Sequence, residues 1–337
     1  MKSKSQLKTV VLLVNLGTPR QPTEKEVRIY LREFLSDKDV IRLPRIFWLP
    51  LLHLIILRVR PKKSAELYKK VWTKWGSPLL YNTFLQAGLL RKKFQDEFII
   101  DVAMRYGSPS IENMMLKYYK QGYNNLLFLP MFPQYSTTTT KSIANQIARV
   151  IKKNKIYTDE NTINFIKEFH DNDNYIDSSV THIQSYQKIH GTPEKLLLSF
   201  HGIPKSYVGD DEPYQSQCFK TAHLIAKQLK LSENQYEIVF QSRFGKSEWI
   251  QPYLAERLEN LPSEGTTNIQ VYCPGFSSDC LETIEEIGEE SHDLFMESGG
   301  KVYNFIPCLN GDSKFIEMLE SLIRNFQQKS INFRDLL

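Results

Sequence analysis

Cysteine is scarce in this sequence, and the spacing of the few that are present narrows the choice of sites. The 337 residues include only Cys218, Cys273, Cys280 and Cys308, and no two of these form a Cys-x-x-Cys pair. This spacing argues against a zinc knuckle. The N-terminal segment also lacks an apolar run long enough for a secretion signal. We therefore expect free thiols in a cytoplasmic protein.

A glycine-rich nucleotide loop is missing as well. The first strand-like run leads into Asn15-Leu-Gly-Thr-Pro19, which does not contain Gly-x-Gly-x-x-Gly. No phosphate-cradling lysine loop occurs elsewhere. The sequence therefore predicts that no nucleotide is bound.

The chain has no large net charge of either sign. The chain has 43 Lys and Arg against 38 Asp and Glu, a net charge of +5. Because no dense basic stripe with interleaved aromatic residues is present, no nucleic-acid partner is predicted. The weak positive balance is compatible with an anionic ligand or an anionic membrane surface.

No apolar run is long enough to cross a bilayer, which requires about 20 residues. The longest is the segment 45–60, which is almost wholly apolar up to Leu57 and is flanked by basic residues. It fits either an ordinary buried helix or a lip that touches a membrane with its apolar body above a basic rim. For the second interpretation we expect Phe47, Trp48 and Leu51 to meet the membrane.

Short apolar runs alternate with segments of helical periodicity. The strand-like runs are Thr9–Asn15, Ile99–Met104, Leu126–Leu129, Lys195–Phe200, Glu237–Phe240 and Asn268–Tyr272. Such mainly apolar runs are typical of parallel strands buried on both faces, and the alternation predicts an α/β protein. The pattern occurs twice, on either side of a polar connection, so we expect two doubly wound halves. In such sheets ligands lie beyond the carboxyl ends of the strands.

One histidine stands at such an end, in Leu196-Leu-Leu-Ser-Phe-His201-Gly-Ile-Pro204. An imidazole with a pKa near its usual value of about 6.5 can accept a proton at neutral pH or bind a borderline metal. A core imidazole bonded to a backbone carbonyl is the alternative, and the sequence alone leaves both open.

Three carboxylates follow another predicted strand end at four-residue spacing: Glu282, Glu286 and Glu290. Like charges at this spacing destabilise a helix by a few tenths of a kcal/mol per pair. The Asp279-x-x-Glu282 pattern is typical of a capping box, which would explain Glu282 but not the other two. The row is therefore a candidate relay for protons or for a cation.

Polar residues follow three further strand ends, in Arg105-Tyr106, in Pro133-Gln-Tyr135-Ser136-Thr-Thr-Thr-Thr140 and in Gln241-Ser242-Arg243. An arginine fork and neighbouring hydroxyl groups suit the carboxylates of a ligand. For the Ser and Thr residues, helix capping is the alternative.

Taken in order, these segments resemble ferrochelatase, the last enzyme of haem synthesis. The resemblance covers residues from about 8 to 325 and rests on the segments Val14–Pro19, Gly76–Pro78, Met104–Tyr106, Pro133–Ser136, Ser199–Pro204, Phe240–Gly245 with Trp249, Cys273–Thr283 and Pro307–Asn310.

The resemblance implies two Rossmann-like domains, each a parallel sheet flanked by helices, with an active-site cleft between them. We expect an N-terminal domain at 1–160 that carries the lip, a second domain at 161–314, and a C-terminal helix at 315–337 packing back on the first. The implied activity is that of a lyase that inserts Fe2+ into protoporphyrin IX.

The resemblance also assigns roles. It implies that His201 and Glu282 are catalytic and contact the iron, and that Glu286 and Glu290 form a relay. The implied porphyrin contacts are Arg105, Tyr106, Tyr135, Ser136, Gln241, Ser242 and Trp249. A peripheral contact with the inner face of the cytoplasmic membrane is implied through the lip.

The sequence departs from the family pattern at two points. Cys280 stands where many members have a histidine, which weakens any role for a second imidazole. No cysteine follows Cys308, so no iron–sulfur cluster is expected. Three alternatives remain: a coproporphyrin III ferrochelatase, a cobalt or nickel chelatase, and a haem- or metal-binding protein without chemistry.

Overall fold

A computed structural model describes residues 8–157, 163–209, 211–245 and 247–337. The chain forms two compact units. The first comprises residues up to Met131, Ser136–Glu168 and Leu319–Leu337, and the second comprises Phe132–Tyr135 and Phe169–Met318. The first unit thus continues past the expected limit at residue 160, because a strand at Ile163–Phe165 pairs with the strand Leu126–Pro130.

The first unit contains a parallel sheet in the order β2-β1-β3-β4. Its strands are β1 (Val10–Thr18), β2 (Ile99–Gly107), β3 (Leu126–Pro130) and β4 (Ile163–Phe165). The helices before residue 169 are α1 (Glu24–Leu35), α2 (Arg45–Leu51), α3 (Leu57–Val71), α4 (Pro78–Phe94), α5 (Ile111–Lys120) and α6 (Ser142–Asn154).

The second unit repeats this plan, with a parallel sheet in the order β6-β5-β7-β8. Its strands are β5 (Lys195–His201), β6 (Tyr236–Gln241), β7 (Asn268–Tyr272) and β8 (Val302–Ile306). The remaining helices are α7 (Asp173–His190), α8 (Tyr214–Gln228), α9 (Leu254–Asn260), α10 (Ser291–Glu297), α11 (Ser313–Arg324) and α12 (Phe326–Lys329). The predicted fold class, two Rossmann-like parallel sheets with flanking helices, is confirmed.

The strands β4 and β8 were not predicted from the sequence. Each lies at an edge of its sheet. An edge strand is covered less completely than a central one, so it need not be a continuous apolar run: in β8, Val302 is exposed and Asn304 is half-buried. The central strand β1 shows the contrast, because Val10–Val14 are completely buried. Burying each such side chain contributes about 1.5–3 kcal/mol.

Gly17 brings the carboxyl ends of β1 and β2 together. Its φ is +115°, and a Cβ at this position would lie 1.8 Å from the carbonyl oxygen of Tyr106. Only glycine fits, because any side chain would meet the neighbouring backbone. This close approach fixes the end of β2, which carries Arg105 and Tyr106.

Three segments of the described chain are π-helical: Leu52–Ile56, Thr137–Lys141 and Glu282–Glu290. Hydrogen bonds in a π-helix run from i to i+5, and such segments often occur at functional sites. Here they coincide with the lip, with the Thr run after Ser136, and with the row of glutamates.

Candidate active site

His201 is the last residue of β5, the strand at which the order of the second sheet reverses. From β5 the chain first forms β6 on one side and later β7 on the other. His201 pairs in register with Gln241, the last residue of β6. The half-buried His201 therefore occupies the topological switch point, where parallel sheets bind their ligands.

The His201 ring has a defined hydrogen-bond pattern. Its Nδ1 lies 2.6 Å from the carbonyl oxygen of Gly202. A carbonyl can only accept, so Nδ1 carries the hydrogen and the neutral ring keeps a free lone pair on Nε2. The carbonyl oxygen of His201 accepts a hydrogen bond of 2.9 Å from the Tyr214 hydroxyl, which holds the strand end.

Trp249 packs beside this histidine, with 6.5 Å between the ring centroids. The neighbouring Gly202 allows this approach. A Cβ on Gly202 would lie 2.9 Å from the Gln241 carbonyl oxygen and 3.1 Å from the Trp249 ring. The Gly that follows His201 in the sequence is thus required by packing.

Glu286 lies on the π-helix Glu282–Glu290 and is held by Ser242. Its Oε1 accepts the Ser242 backbone N–H at 2.7 Å, and its Oε2 accepts the Ser242 hydroxyl at 2.5 Å. Ser242 adopts a φ of +67°, which is uncommon for a residue with a side chain and directs both donors to the carboxylate.

Burial raises the pKa of Glu286 above its usual value. The hydrogen bonds from Ser242 and the nearby His201 ring lower it, while the negative charge of Glu282 raises it. Burial prevails. The electrostatic influence of both His201 and Glu282 on Glu286 indicates that these three predicted site residues lie near one another.

Glu282 and Glu290 have different surroundings. Glu282 is half-buried beside the Cys280 thiol, whose pKa is raised by burial and by the Glu282 charge. Glu290 is exposed. The predicted row thus runs from two partly buried carboxylates to one at the surface.

Asp279 fastens the segment that precedes this helix. Its carboxylate accepts hydrogen bonds from the Cys308 backbone N–H, the Thr283 hydroxyl and the Asn310 side-chain amide. Its own N–H donates to Asn310 Oδ1 at 2.8 Å, so the suggested capping box with Glu282 is not formed. Asn310 takes the place that the capping glutamate would occupy.

Gln241 lies next to His201, as its register partner on β6. It is buried, and its Oε1 accepts hydrogen bonds from the Ser199 hydroxyl at 2.8 Å and from the Cys273 thiol at 3.6 Å. Among the described residues, neither Gln241 Nε2 nor Trp249 Nε1 has a hydrogen-bond partner, although both atoms are buried. Two donors beside His201 are thus unused.

In the first unit, Arg105 and Tyr106 belong to a buried network around Asp37. The Arg105 guanidinium pairs with Asp37, whose Oδ2 also accepts hydrogen bonds from Tyr106 at 2.9 Å and from Ser142 at 2.7 Å. Burial by itself would raise the pKa of Asp37, but these partners lower it below the usual value. Asp37 and Ser142 were not predicted as site residues, since no sequence motif connects them to Arg105.

Tyr135 and Ser136 each form a hydrogen bond within their own unit. Tyr135 is buried in the second unit, and its N–H donates to Gln217 Oε1 at 2.7 Å. In the first unit, Ser136 caps the π-helix Thr137–Lys141, because its hydroxyl accepts the Thr138 N–H. Capping, the alternative suggested for this run, is therefore observed for Ser136.

The lip has one buried and one exposed apolar face. Leu52 is completely buried, whereas Phe47 is 74% and Leu54 is 59% exposed. Leu51 is also exposed. The predicted position of Trp48 at the membrane is wrong: the residue is buried, and its indole N–H donates to the Leu35 carbonyl at 2.7 Å.

None of the helices in the described ranges is both long enough and apolar enough to span a membrane.

Metal-binding side chains do not converge in the described part of the chain. No group of three or more His, Cys, Asp or Glu residues there could hold a metal ion. The contacts of His201 and Glu282 with iron therefore stay predictions.

Comparison with known proteins covers nearly the whole chain. The family model for ferrochelatase matches residues 8–327. The chain is 45% identical to the ferrochelatase of Idiomarina loihiensis, with 94% of this chain and 87% of the relative aligned. It is 46% identical to that of Marinobacter nauticus (94% and 85% aligned) and 42% identical to that of Alcanivorax borkumensis (94% of each aligned).

Solved structures support the fold. SirB from Bacillus subtilis with Fe3+ has a TM-score of 0.56 at 13% identity, with 95% of this chain and 96% of that one covered. The sirohydrochlorin chelatase SirB from Bacillus subtilis subspecies spizizenii in complex with cobalt has a TM-score of 0.52 at 11% identity, with coverages of 96% and 99%. These similarities concern the fold alone. The matched family model and the relatives at 42–46% identity show that the chain belongs to the ferrochelatase family.

Proposed function

We propose that this ferrochelatase inserts Fe2+ into protoporphyrin IX, forming protohaem and releasing two protons. The family assignment makes the chain a metal chelatase, a lyase of haem biosynthesis that uses ferrous iron as substrate. The observation that carries the proposal is the position of His201 at the carboxyl end of β5, with the Glu286 carboxylate held nearby by Ser242. An imidazole beside carboxylates supplies both proton acceptors and ligands suited to iron.

His201 accepts a pyrrole proton through Nε2. The Gly202 carbonyl engages Nδ1, so Nε2 is the atom left free. Once protonated, the ring is a cation next to Glu286, whose carboxylate stabilises it. The hydrogen bond to Gly202 also fixes the plane of the ring, so that Nε2 keeps its direction during the transfer.

Glu282 and Glu286 have different roles, one in contact with the substrate and one in proton relay. Glu286 is engaged by two hydrogen bonds from Ser242, which leave fewer oxygen lone pairs for binding iron. Within the described ranges, Glu282 has only the weak Cys280 thiol as a hydrogen-bond donor. We therefore assign Glu282 to direct contact with iron or a pyrrole proton, and Glu286 with the exposed Glu290 to the relay towards solvent.

The unused donors beside His201 support porphyrin contact by Gln241 and Trp249. Ser242 and Tyr135 stay predicted contacts. Arg105 and Tyr106 use their polar groups within the Asp37 network, and Ser136 uses its hydroxyl as a cap. For these three, the network or cap supports a role in holding strand and helix ends, and contact with the porphyrin remains a prediction.

The surroundings of the four cysteines are relevant to the prediction that no iron–sulfur cluster is bound. All four are buried, and burial raises the pKa of each thiol well above its usual value. An iron–sulfur cluster needs thiolates. Burial that disfavours the thiolate form supports the prediction that iron is a substrate here and that no cluster is bound.

The assignment is tested by mixing the protein anaerobically with Fe2+ and either protoporphyrin IX or coproporphyrin III, and following the absorption spectrum. We expect many turnovers per protein and a higher kcat/KM for protoporphyrin IX. In the same assay, His201→Ala should lose about 10²–10⁴-fold in kcat, the range typical of a general acid or base.

The matched control is His223→Ala, because His223 is an exposed histidine in the second unit. It should retain the wild-type rate. Stoichiometric binding without turnover would favour a carrier, and preference for coproporphyrin III would favour the alternative substrate. A His201→Ala rate within tenfold of wild type would contradict the role of His201.

Replacing the two partly buried glutamates separates their roles. We expect Glu282→Gln to reduce kcat more than Glu286→Gln, since only Glu282 lacks strong hydrogen-bond donors and is free to meet the substrate. The measurement is kcat against pH for both variants. A larger loss for Glu286→Gln would show that the contact and relay roles are reversed.

We also propose that the protein is cytoplasmic and lies on the inner face of the cytoplasmic membrane through the lip. The exposed apolar side chains Ile46, Phe47, Leu51, Leu54, Ile55 and Val59 support this contact. A water-facing apolar surface next to arginines is typical of a segment that lies in a membrane interface.

Changing Ile46, Phe47 and Leu54 together to Ser should weaken co-sedimentation with lipid vesicles. Each side chain contributes about 1.5–3 kcal/mol when it moves fully from water into an apolar phase. The melting temperature should change little, because all three are exposed in the folded protein.

Two control variants accompany this experiment, one for fold stability and one for vesicle binding. Trp48→Ser should destabilise the fold, because Trp48 is buried. Ile189→Ser, at an exposed apolar residue of α7, should leave vesicle binding unchanged. Wild-type affinity in the triple variant would refute the lip contact.

A further inference from the structure

A groove on the first unit runs between α1 and the lip. It consists of two adjoining cavities of about 300 and 500 Å³, both lined by Ile29, Arg32 and His53. Arg58 lines the smaller cavity, and Arg149 of α6 lines the larger one. Among its lining residues, Arg105 is a predicted porphyrin contact, but its guanidinium is already engaged by Asp37.

Part of the charge in the groove is already neutralised. Arg105 pairs with Asp37 at the base of the larger cavity, and Arg28 pairs with Glu24 beside the smaller one. These ion pairs add no net charge to the groove.

A surplus of positive charge remains. Arg32, Arg58 and Arg149 are exposed, and their guanidinium groups have no ion pair or hydrogen bond within the described ranges. The remaining acid is Glu33, which accepts the Gly107 N–H. The groove therefore has unsatisfied fork-shaped donors and an excess of cations, which suits a phosphate group.

The position of the groove indicates where the phosphate comes from. The lip, residues 45–60, provides His53 and Arg58 to the groove. It also exposes the apolar side chains of Phe47, Leu54 and Val59. A ligand that reaches both surfaces has an anionic group joined to an apolar body. That is the chemistry of an anionic phospholipid, with its headgroup in the groove and its acyl chains along the lip.

We propose that this groove, lined by Arg32, Arg58, Arg149 and His53, binds the phosphate of an anionic phospholipid headgroup. The inference rests on the lip contact proposed above and adds a defined headgroup site to it. The groove then selects anionic lipid and sets how the lip lies on the surface, while the apolar face supplies binding to any bilayer.

The test uses full-length protein and vesicles of phosphatidylcholine, alone or mixed with phosphatidylglycerol. Arg32→Gln combined with Arg149→Gln should reduce affinity for the phosphatidylglycerol vesicles about twenty- to thirtyfold, since each basic residue near an anionic surface contributes about fivefold. Affinity for phosphatidylcholine alone should stay unchanged. Turnover with detergent-dispersed porphyrin should also stay unchanged, which shows that the variant is folded.

The matched control is Lys120→Gln combined with Lys188→Gln, which removes the same charge at exposed positions outside the groove. An equal loss in this control would mean that net charge alone governs binding, and it would overturn the proposal. Retained affinity in the arginine variant would overturn it as well.

Inorganic phosphate distinguishes the two sources of the anion. If it raises the melting temperature of the wild type but not of the arginine variant, while the lipid affinities of the two agree, the groove binds free phosphate and the lipid proposal is wrong. Failure of the wild type to bind either vesicle would instead refute the lip contact itself.

Discussion

The interaction of the partly buried Glu286 carboxylate with the His201 ring is the one on which the rest of the site depends. Taking a carboxylate out of water costs several kcal/mol unless other groups compensate. Ser242 compensates with two hydrogen bonds, for which it adopts a positive φ, and the His201 ring also favours the charged form. Asp279 and Asn310 fasten the chain where this helix begins. The positive φ of Ser242 and the burial of Glu286 thus both occur next to the His201 imidazole.

The duplicated fold explains where these groups stand. The two sheets have the same strand order, so β5 corresponds to β1 and β6 to β2. β6 ends in Gln241, next to Ser242, and β2 ends just after Arg105 and Tyr106. Each unit thus places polar side chains at the carboxyl end of the corresponding strand, β2 or β6. An imidazole, that of His201, stands at the end of β5 but not at the end of the corresponding strand β1. The first unit is the one that carries the lip and the arginine groove.

The sequence predicted the parts of this structure that depend on local pattern. The central strands are continuous apolar runs, and His201 was recognisable because it ends one of them. The edge strands β4 and β8 were missed because partial exposure breaks such runs. Trp48 was misplaced because composition does not show which face of a helix is buried. The partners of Arg105 and Glu286 could not be predicted, since Asp37 and Ser242 approach only through the tertiary fold.

The pairing of His201 with Glu286 is tested most directly by the Glu286 carboxyl pKa, followed by NMR with 13C-labelled glutamate and assigned with Glu286→Gln. In the wild type, burial should place this pKa above the usual glutamate value. In His201→Ala it should rise further, because the ring that lowers it is gone. A pKa at or below the usual value in the wild type, or one that does not change in His201→Ala, would contradict the account.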